Sequence, residues 1–381
     1  MKLTVTYAGI EFANPLVLAS ATPGWDGKHL RMAAEAGAGG VVPKTIGPVV
    51  DWAAHPRCGR LALVKSGPRA IGMVNLELFT TMSRERWIES ELAEAKQGGA
   101  RVVASILAMP DPADTAILAQ QVQDSGAADL FELNVSCPMP VSTVGMHIGR
   151  DPVLTARQVE AVKKVATIPL AVKLTPNVAD MVPIAQAAEK AGADALTISN
   201  SVRAFAGVNI DTGRPVLPAM GGYTGPAIKP IVQRHLAEVA AKVKLPISAV
   251  GGIMSWRDIV EYVMLGATTV QICTAVMWGG YEKIGQLLDG LRGFMAQRGL
   301  ESLDEIRGIA LPYITTTEEY AKEPPKFAQV DPARCTGCEL CTKLCFYDAM
   351  AMEAGVAAVN EKCDGCNLCV LWCPSQAIVL Q

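Results

Sequence analysis

The sequence predicts an α/β chain, a (β/α)8 TIM barrel followed by a small cysteine-rich C-terminal domain. Three observations predict it. The first is length: 381 residues, half of them hydrophobic and 19% charged, make enough apolar surface for one large core and a small second module. The second is a recurring unit in which a helical stretch ends in small residues and an apolar run follows. The third is that eight of the eleven cysteines fall between Cys335 and Cys373.

The recurring unit appears at Ala36-Gly37-Ala38-Gly39-Gly40-Val41-Val42, Gly98-Gly99-Ala100-Arg101-Val102-Val103 and Gly126-Ala127-Ala128-Asp129-Leu130-Phe131. It returns at Gly192-Ala193-Asp194-Ala195-Leu196 and Gly266-Ala267-Thr268-Thr269-Val270. Glycine closes each helix in a left-handed turn, and the unbroken apolar run suits a strand covered on both faces. Eight strands are expected, at residues 16–19, 40–43, 102–106, 130–133, 170–174, 195–199, 247–250 and 270–273. That number of strand–helix units argues for the closed barrel. A doubly wound sheet is disfavoured because no Gly-x-Gly-x-x-Gly follows the first strand. Helix starts are also visible: Asp111-Pro112 and Asp151-Pro152 place a cap before proline, and Ser255 with Asp258 forms a capping-box pattern.

Charge and hydropathy limit the partners. Basic and acidic residues nearly balance at a net −3, with no Lys/Arg tract, so nucleic acid is not expected. Residues 262–281 form an uncharged run long enough to span a membrane. Its glycines, threonines and glutamine suit a helix end, a short buried strand and a loop instead, so no membrane span is expected. The N-terminus alternates like a strand and shows no secretory signal, which points to a cytoplasmic protein.

The cysteines carry the sharpest chemistry. Cys335, Cys338, Cys341 and Cys345 repeat the spacing of Cys363, Cys366, Cys369 and Cys373: C-x2-C-x2-C-x3-C, the pattern of two-cluster bacterial ferredoxins. Short spacers wrap three thiolates around one cluster, and the fourth ligand comes from the other run. Cys335, Cys338, Cys341 and Cys373 are expected to hold one [4Fe–4S] cluster; Cys363, Cys366, Cys369 and Cys345 the other. Zinc would need pairs with a longer gap, and disulfides an oxidising compartment. Pro324-Pro325 marks a linker, so the barrel is expected over residues 1–320 and the linker with its 2[4Fe–4S] ferredoxin domain over 321–381.

Barrel active sites lie at the C-terminal strand ends. Here those ends carry Ser20, Lys44, Ser105, Asn134, Lys173, Asn200, Gly251-Gly252 and Thr274. The only two charges are lysines, which suggests a pocket for an uncharged, hydrogen-bonding ring system and an anionic group. Gly251 and Gly252 after strand seven, and Cys273-Thr274 after strand eight, occupy the usual phosphate position of this fold. Gly225 offers a further close backbone approach. Cys137 follows strand four and precedes a loop expected to act as a lid, where a thiol can give or take a proton. Cys58 has no evident role, and Cys273 reads as a packed strand-end residue.

These residues resemble a known family. Ala19-Ser20-Ala21, Lys44-Thr45, Asn75-Leu76-Glu77, Asn134-Val135-Ser136-Cys137-Pro138, Lys173-Leu174-Thr175-Pro176-Asn177, Asn200-Ser201-Val202, Gly251-Gly252-Ile253 and the two cysteine runs carry the likeness. The chain is similar to the FMN and iron–sulfur subunit of bacterial NAD-dependent dihydropyrimidine dehydrogenases, and more distantly to dihydroorotate dehydrogenases. The resemblance implies that Ser20, Lys44, Thr45, Lys173, Gly225, Gly251, Gly252, Ile253, Cys273 and Thr274 hold FMN. It implies that Asn75, Asn134, Ser136, Asn200 and Ser201 bind the substrate ring, and that Cys137 is the general acid in reduction and the base in the reverse. It also implies an NAD(P)H-oxidising flavoprotein partner carrying FAD, in a hetero-oligomer with more than one copy of each subunit. Residues 203–223 and the lid at 139–147 depart from the family pattern, which bears on substrate identity. Dihydroorotate would require a cation facing its carboxylate, and Arg203 is the nearby candidate. An electron-transfer subunit whose barrel is only a scaffold is the alternative of a different class; the set Asn75, Asn134, Cys137 and Asn200 argues against it.

Overall fold

A computed structural model describes residues 2–48, 59–138 and 144–381. The chain divides into two compact units, one up to Pro312 and one over Tyr313–Gln381. Residues 313–320, expected with the barrel, group with the tail.

The first unit is a closed barrel of eight parallel strands: β1 (Leu16–Leu18), β2 (Gly40–Val41), β3 (Arg101–Leu107), β4 (Leu130–Asn134), β5 (Leu170–Lys173), β6 (Ala195–Ile198), β7 (Ile247–Val250) and β8 (Ala267–Ile272). They neighbour one another in chain order, and β8 closes against β1. Every residue of β1, β4, β5, β6, β7 and β8 is buried, because helices cover the outside and side chains fill the inside. All eight strands lie where the apolar runs placed them. The expected caps are present too: Asp111 and Asp151 accept from the first helical N–H groups, and Ser255 and Asp258 form the reciprocal box. The uncharged run at 262–281 is the end of one helix, strand β8 and a short helix, Thr274–Gly279. No helix among the described residues is long and apolar enough to cross a membrane.

Two additions were not read from the sequence. An N-terminal hairpin, Val5–Tyr7 with Ile10–Phe12, lies against the strand starts: the Tyr7 hydroxyl donates to Leu196 O at 2.9 Å, and the Phe12 ring would meet any Cβ on Gly40 at 2.6 Å. An antiparallel four-stranded sheet is assembled from the segments after β2 and β6, in the order Val202–Ala204, Gly221–Thr224, Arg69–Asn75, Leu61–Ser66. It brings Asn75 to the strand-end side of the barrel, opposite Gly222. Two long insertions thus pair with each other, a non-local contact that local patterning does not report.

The tail unit repeats one design twice. Each cysteine run is a loop, then a five-residue helix (Leu340–Leu344 and Leu368–Trp372), with the fourth cysteine just beyond it. Strand pairs Ala328–Val330 with Ile378–Leu380 and Met350–Glu353 with Val356–Val359 flank them. The buried core is seven side chains, Ala328, Cys341, Ala349, Met350, Ala357, Ala377 and Ile378, four of them alanines. Such a core is too small to hold a domain without metal or cross-links. Gly337 and Gly365 adopt φ of 66° and 72°, and a Cβ on either would sit 2.8 Å from Gly355 O or 2.3 Å from Lys326 O. Only glycine fits both constraints.

Candidate active site

The ends of the barrel strands open into a cleft of about 1060 Å³, mouth included. Ser20, Lys44, Thr45, Asn75, Asn134, Cys137, Lys173, Asn200, Ser201, Gly225, Gly251, Gly252, Ile253, Cys273 and Thr274 all line it. Ser136 does not. It is fully buried behind the asparagines, where its hydroxyl donates to Asn134 Oδ1 at 2.9 Å and accepts from Asn200 Nδ2 at 2.9 Å. Arg203 is exposed on the accessory sheet and is not among the cleft residues. Cys58 and residues 139–143 of the lid lie outside the described residues. Beyond them, Gly145 at φ 62° passes 2.7 Å, measured from an ideal Cβ, from Cys137 O, and Met146 N donates to that oxygen at 2.9 Å. The returning loop therefore fixes the backbone at Cys137.

The three asparagines share one polarity. Asn134 Oδ1 accepts from both the N–H and the hydroxyl of Ser136, while its Nδ2 donates to Thr45 Oγ1 at 2.9 Å. Asn200 Oδ1 accepts from the N–H and hydroxyl of Ser201, and its Nδ2 donates to Ser136. Asn75 Oδ1 accepts from Glu77 N at 3.2 Å, and its Nδ2 donates to Gly222 O at 2.8 Å. An amide has two N–H donors and one carbonyl. In each case the carbonyl serves the protein, and one N–H remains for a ligand.

The charges are more balanced than the strand ends alone indicate. Lys44 Nζ lies 3.1 Å from Glu77 Oε2, and Arg60 Nε donates to Glu77 Oε1 at 2.8 Å. Thr22 donates to the same carboxylate. Burial pushes the Glu77 carboxyl up, but Lys44 and the hydrogen bonds from Thr22 and Arg60 prevail and hold it at about 2. Burial lowers Lys44 despite its partner, so the carboxylate, with three donors, is the firmer charge of the pair. Lys173 pairs at 3.0 Å with Glu132, a fully buried side chain on β4. Glu132 also accepts from Thr197 at 3.0 Å and from Gln271 Nε2 at 2.8 Å. Burial pushes the Cys273 thiol up to about 12, so it stays protonated, as a packed residue should. Glu77, Glu132 and Gln271 were missed by sequence reasoning. Glu132 stands inside the apolar run Leu130–Leu133, and Gln271 between Val270 and Ile272, which is the signal that was available.

In the tail, each expected cysteine quartet surrounds its own cavity. Cys335, Cys338, Cys341 and Cys373 line one of about 330 Å³; Cys345, Cys363, Cys366 and Cys369 line the other, of about 350 Å³. Backbone N–H groups of Ala328, Ala349 and Ala377 donate to Cys363, Cys345 and Cys373 sulfurs at 3.4, 3.3 and 3.2 Å. Among the described residues, no three His, Cys, Asp or Glu side chains converge as a single-ion site.

The family model for dihydroorotate dehydrogenase matches residues 2–295. The chain belongs to the dihydroorotate dehydrogenase family. It is an oxidoreductase of that family. Among its relatives is the NAD-dependent dihydropyrimidine dehydrogenase subunit PreA of Escherichia coli, 32% identical over 358 residues, covering 90% of this chain and 85% of the relative. The catalytic subunit of dihydroorotate dehydrogenase B (NAD+) of Pyrococcus furiosus is 37% identical over 315 residues, 81% of this chain and 99% of the relative. The corresponding subunit from Methanothermobacter thermautotrophicus is 36% identical over 314 residues, covering 81% and 98%. The dehydrogenase family thus accounts for the barrel. Its relatives' names divide between two ring substrates, and the charges in the cleft bear on that division.

Proposed function

We propose that the chain is an FMN- and iron–sulfur-dependent reductase, or in reverse dehydrogenase, of the activated C=C bond in an uncharged pyrimidine-type ring such as uracil or thymine. The observation that carries this reading is the pairing of both cleft lysines with carboxylates, Lys44 with half-buried Glu77 and Lys173 with fully buried Glu132. Among the described residues lining the cleft, the only cations are these two lysines, and each already has a carboxylate partner. A dihydroorotate-like anion is therefore disfavoured, although the archaeal relatives are named for it. The spare N–H groups of Asn75, Asn134 and Asn200 suit a ring that offers carbonyl oxygens, as a dioxopyrimidine does, better than one that offers an amino group.

The residues fit a flavin. Lys44 and Lys173 bring N–H donors to the cleft, and Ser20, Thr45, Gly225, Gly251, Gly252, Ile253, Cys273 and Thr274 line it with them. A Cβ on Gly252 would lie 2.8 Å from Lys229 N, so the backbone at this wall approaches as only glycine allows. FMN, when bound, supplies the hydride to one carbon of the double bond. Cys137 gives a proton to the neighbouring carbon and recovers it in the reverse direction. Asn75, Asn134, Asn200 and Ser201 orient the ring, with Ser136 setting two of the amides from behind. The cysteine quartets fit cubane clusters, since a single ion would draw its thiolates together rather than leave a cavity. Such clusters, when bound, carry electrons one at a time. A barrel up to Pro312 and a ferredoxin-like unit over Tyr313–Gln381 then need a second electron terminus, here an FAD-containing flavoprotein that oxidises NAD(P)H, in a cytoplasmic hetero-oligomer. The word "subunit" in the name of the Escherichia coli relative supports that partner.

Ligand titrations of the oxidised holoprotein test the reading. Uracil should perturb the flavin spectrum, while cytosine and orotate should bind at least about a hundredfold more weakly. Orotate binding as tightly as uracil would overturn the substrate assignment.

A further inference from the structure

One buried group has a part that the proposed chemistry does not use. Glu132 lies wholly inside the barrel and does not line the cleft, yet it touches two residues that do. Its Oε1 takes Lys173 Nζ at 3.0 Å, and its Oε2 takes Gln271 Nε2 at 2.8 Å and Thr197 Oγ1 at 3.0 Å. A carboxylate only accepts. It must therefore take the NH2 side of Gln271, which turns the amide oxygen away from Glu132. That oxygen, Gln271 Oε1, is buried and has no hydrogen-bond donor in the protein. Buried polar atoms without a partner are rare in folded chains and mark a missing group.

We propose that Glu132 is a positioning residue for the cofactor, holding Lys173 Nζ in place and orienting Gln271 so that its carbonyl accepts the ring N–H of the bound flavin. The inference rests on the flavin reading of the cleft. An oxidised isoalloxazine has one ring N–H, the imide between two carbonyls, and acceptors on either side of it. A lysine Nζ and a carbonyl set from below by one carboxylate match that alternation, and swapping the amide's ends would put two donors against the ring.

The test is a binding cycle with the full-length chain, using FMN and FMN methylated at the imide nitrogen, read by flavin fluorescence quenching. The variants are Glu132→Gln and Gln271→Met. In the unmodified chain methylation should weaken binding by about tenfold more than it does in Gln271→Met, the value of one hydrogen bond. Glu132→Gln removes the constraint on the Gln271 amide and should lose the same discrimination. Should Glu132→Gln fail to fold, Gln271→Met alone decides, because it removes the amide and its carbonyl while leaving Glu132 paired with Lys173 and Thr197. Equal loss on methylation in the unmodified chain and in Gln271→Met would overturn the proposal while leaving the flavin in place. No FMN binding by the unmodified chain would overturn the flavin reading, and this inference with it.

Discussion

Cys137 and Glu77 show what single side chains contribute. Cys137 lines the cleft beside the asparagines, with its carbonyl held by Met146. Cys137→Ala should leave flavin reduction by the electron donor intact and slow ring reduction by about two to four orders of magnitude, the usual share of general acid catalysis. Stopped-flow absorbance separates the two half-reactions, and an unchanged second phase removes Cys137 from the chemistry. Glu77 acts on Lys44. Burial, the larger influence, holds Lys44 below its ordinary value, and the nearby carboxylate pulls it back up. In Glu77→Gln that pull is gone, so Lys44 should lose its proton at lower pH. The alkaline limb of turnover should then move to lower pH than in the unmodified protein, and a limb that stays in place would show that Lys44 does not need Glu77. Sequence patterning located Lys44 at its strand end but not Glu77. The carboxylate comes from a loop thirty-three positions on and meets the lysine only through the fold.

At the scale of elements, the barrel strands were readable because each is a short apolar run behind a glycine turn, a purely local signal. Helix caps were readable for the same reason. Asp151 accepts from the N–H groups of Val153 and Leu154 at 2.7 and 3.0 Å. Asp151→Ala should therefore cost about 1 kcal/mol, measured as a fall in the denaturant midpoint at unchanged slope, with Asp151→Asn recovering most of it. The accessory sheet was not read. Its strands at Leu61–Ser66 and Arg69–Asn75 flank Gly67-Pro68, a turn signal that was available, but their partner Gly221–Thr224 lies far away in sequence and carries two glycines. Asn75 is legible only through the family resemblance, since its place in the cleft depends on this sheet. The site's amide polarity was out of reach for a similar reason: which end of an asparagine faces inward depends on partners such as Ser136 and Gly222.

For the whole molecule, the cysteine spacing was the most informative part of the sequence, because ligand geometry ties spacing to chemistry directly. The crossed assignment of fourth ligands follows each quartet's shared cavity. Cys345→Ser should disturb the cluster of the second run and Cys373→Ser that of the first, each lowering iron content by about half. Low-temperature electron paramagnetic resonance would tell the two residual clusters apart, and loss of the same signal in both variants would refute the crossing. The most direct measurement is a single turnover without any partner. Anaerobically reduced holoprotein is mixed with uracil, and the flavin and cluster bands are followed together. The expected result is reoxidation of both, with dihydrouracil formed, and no such recovery with orotate. Bands that stay reduced with uracil, or that recover only with orotate, would contradict the assignment of this barrel to an uncharged pyrimidine ring.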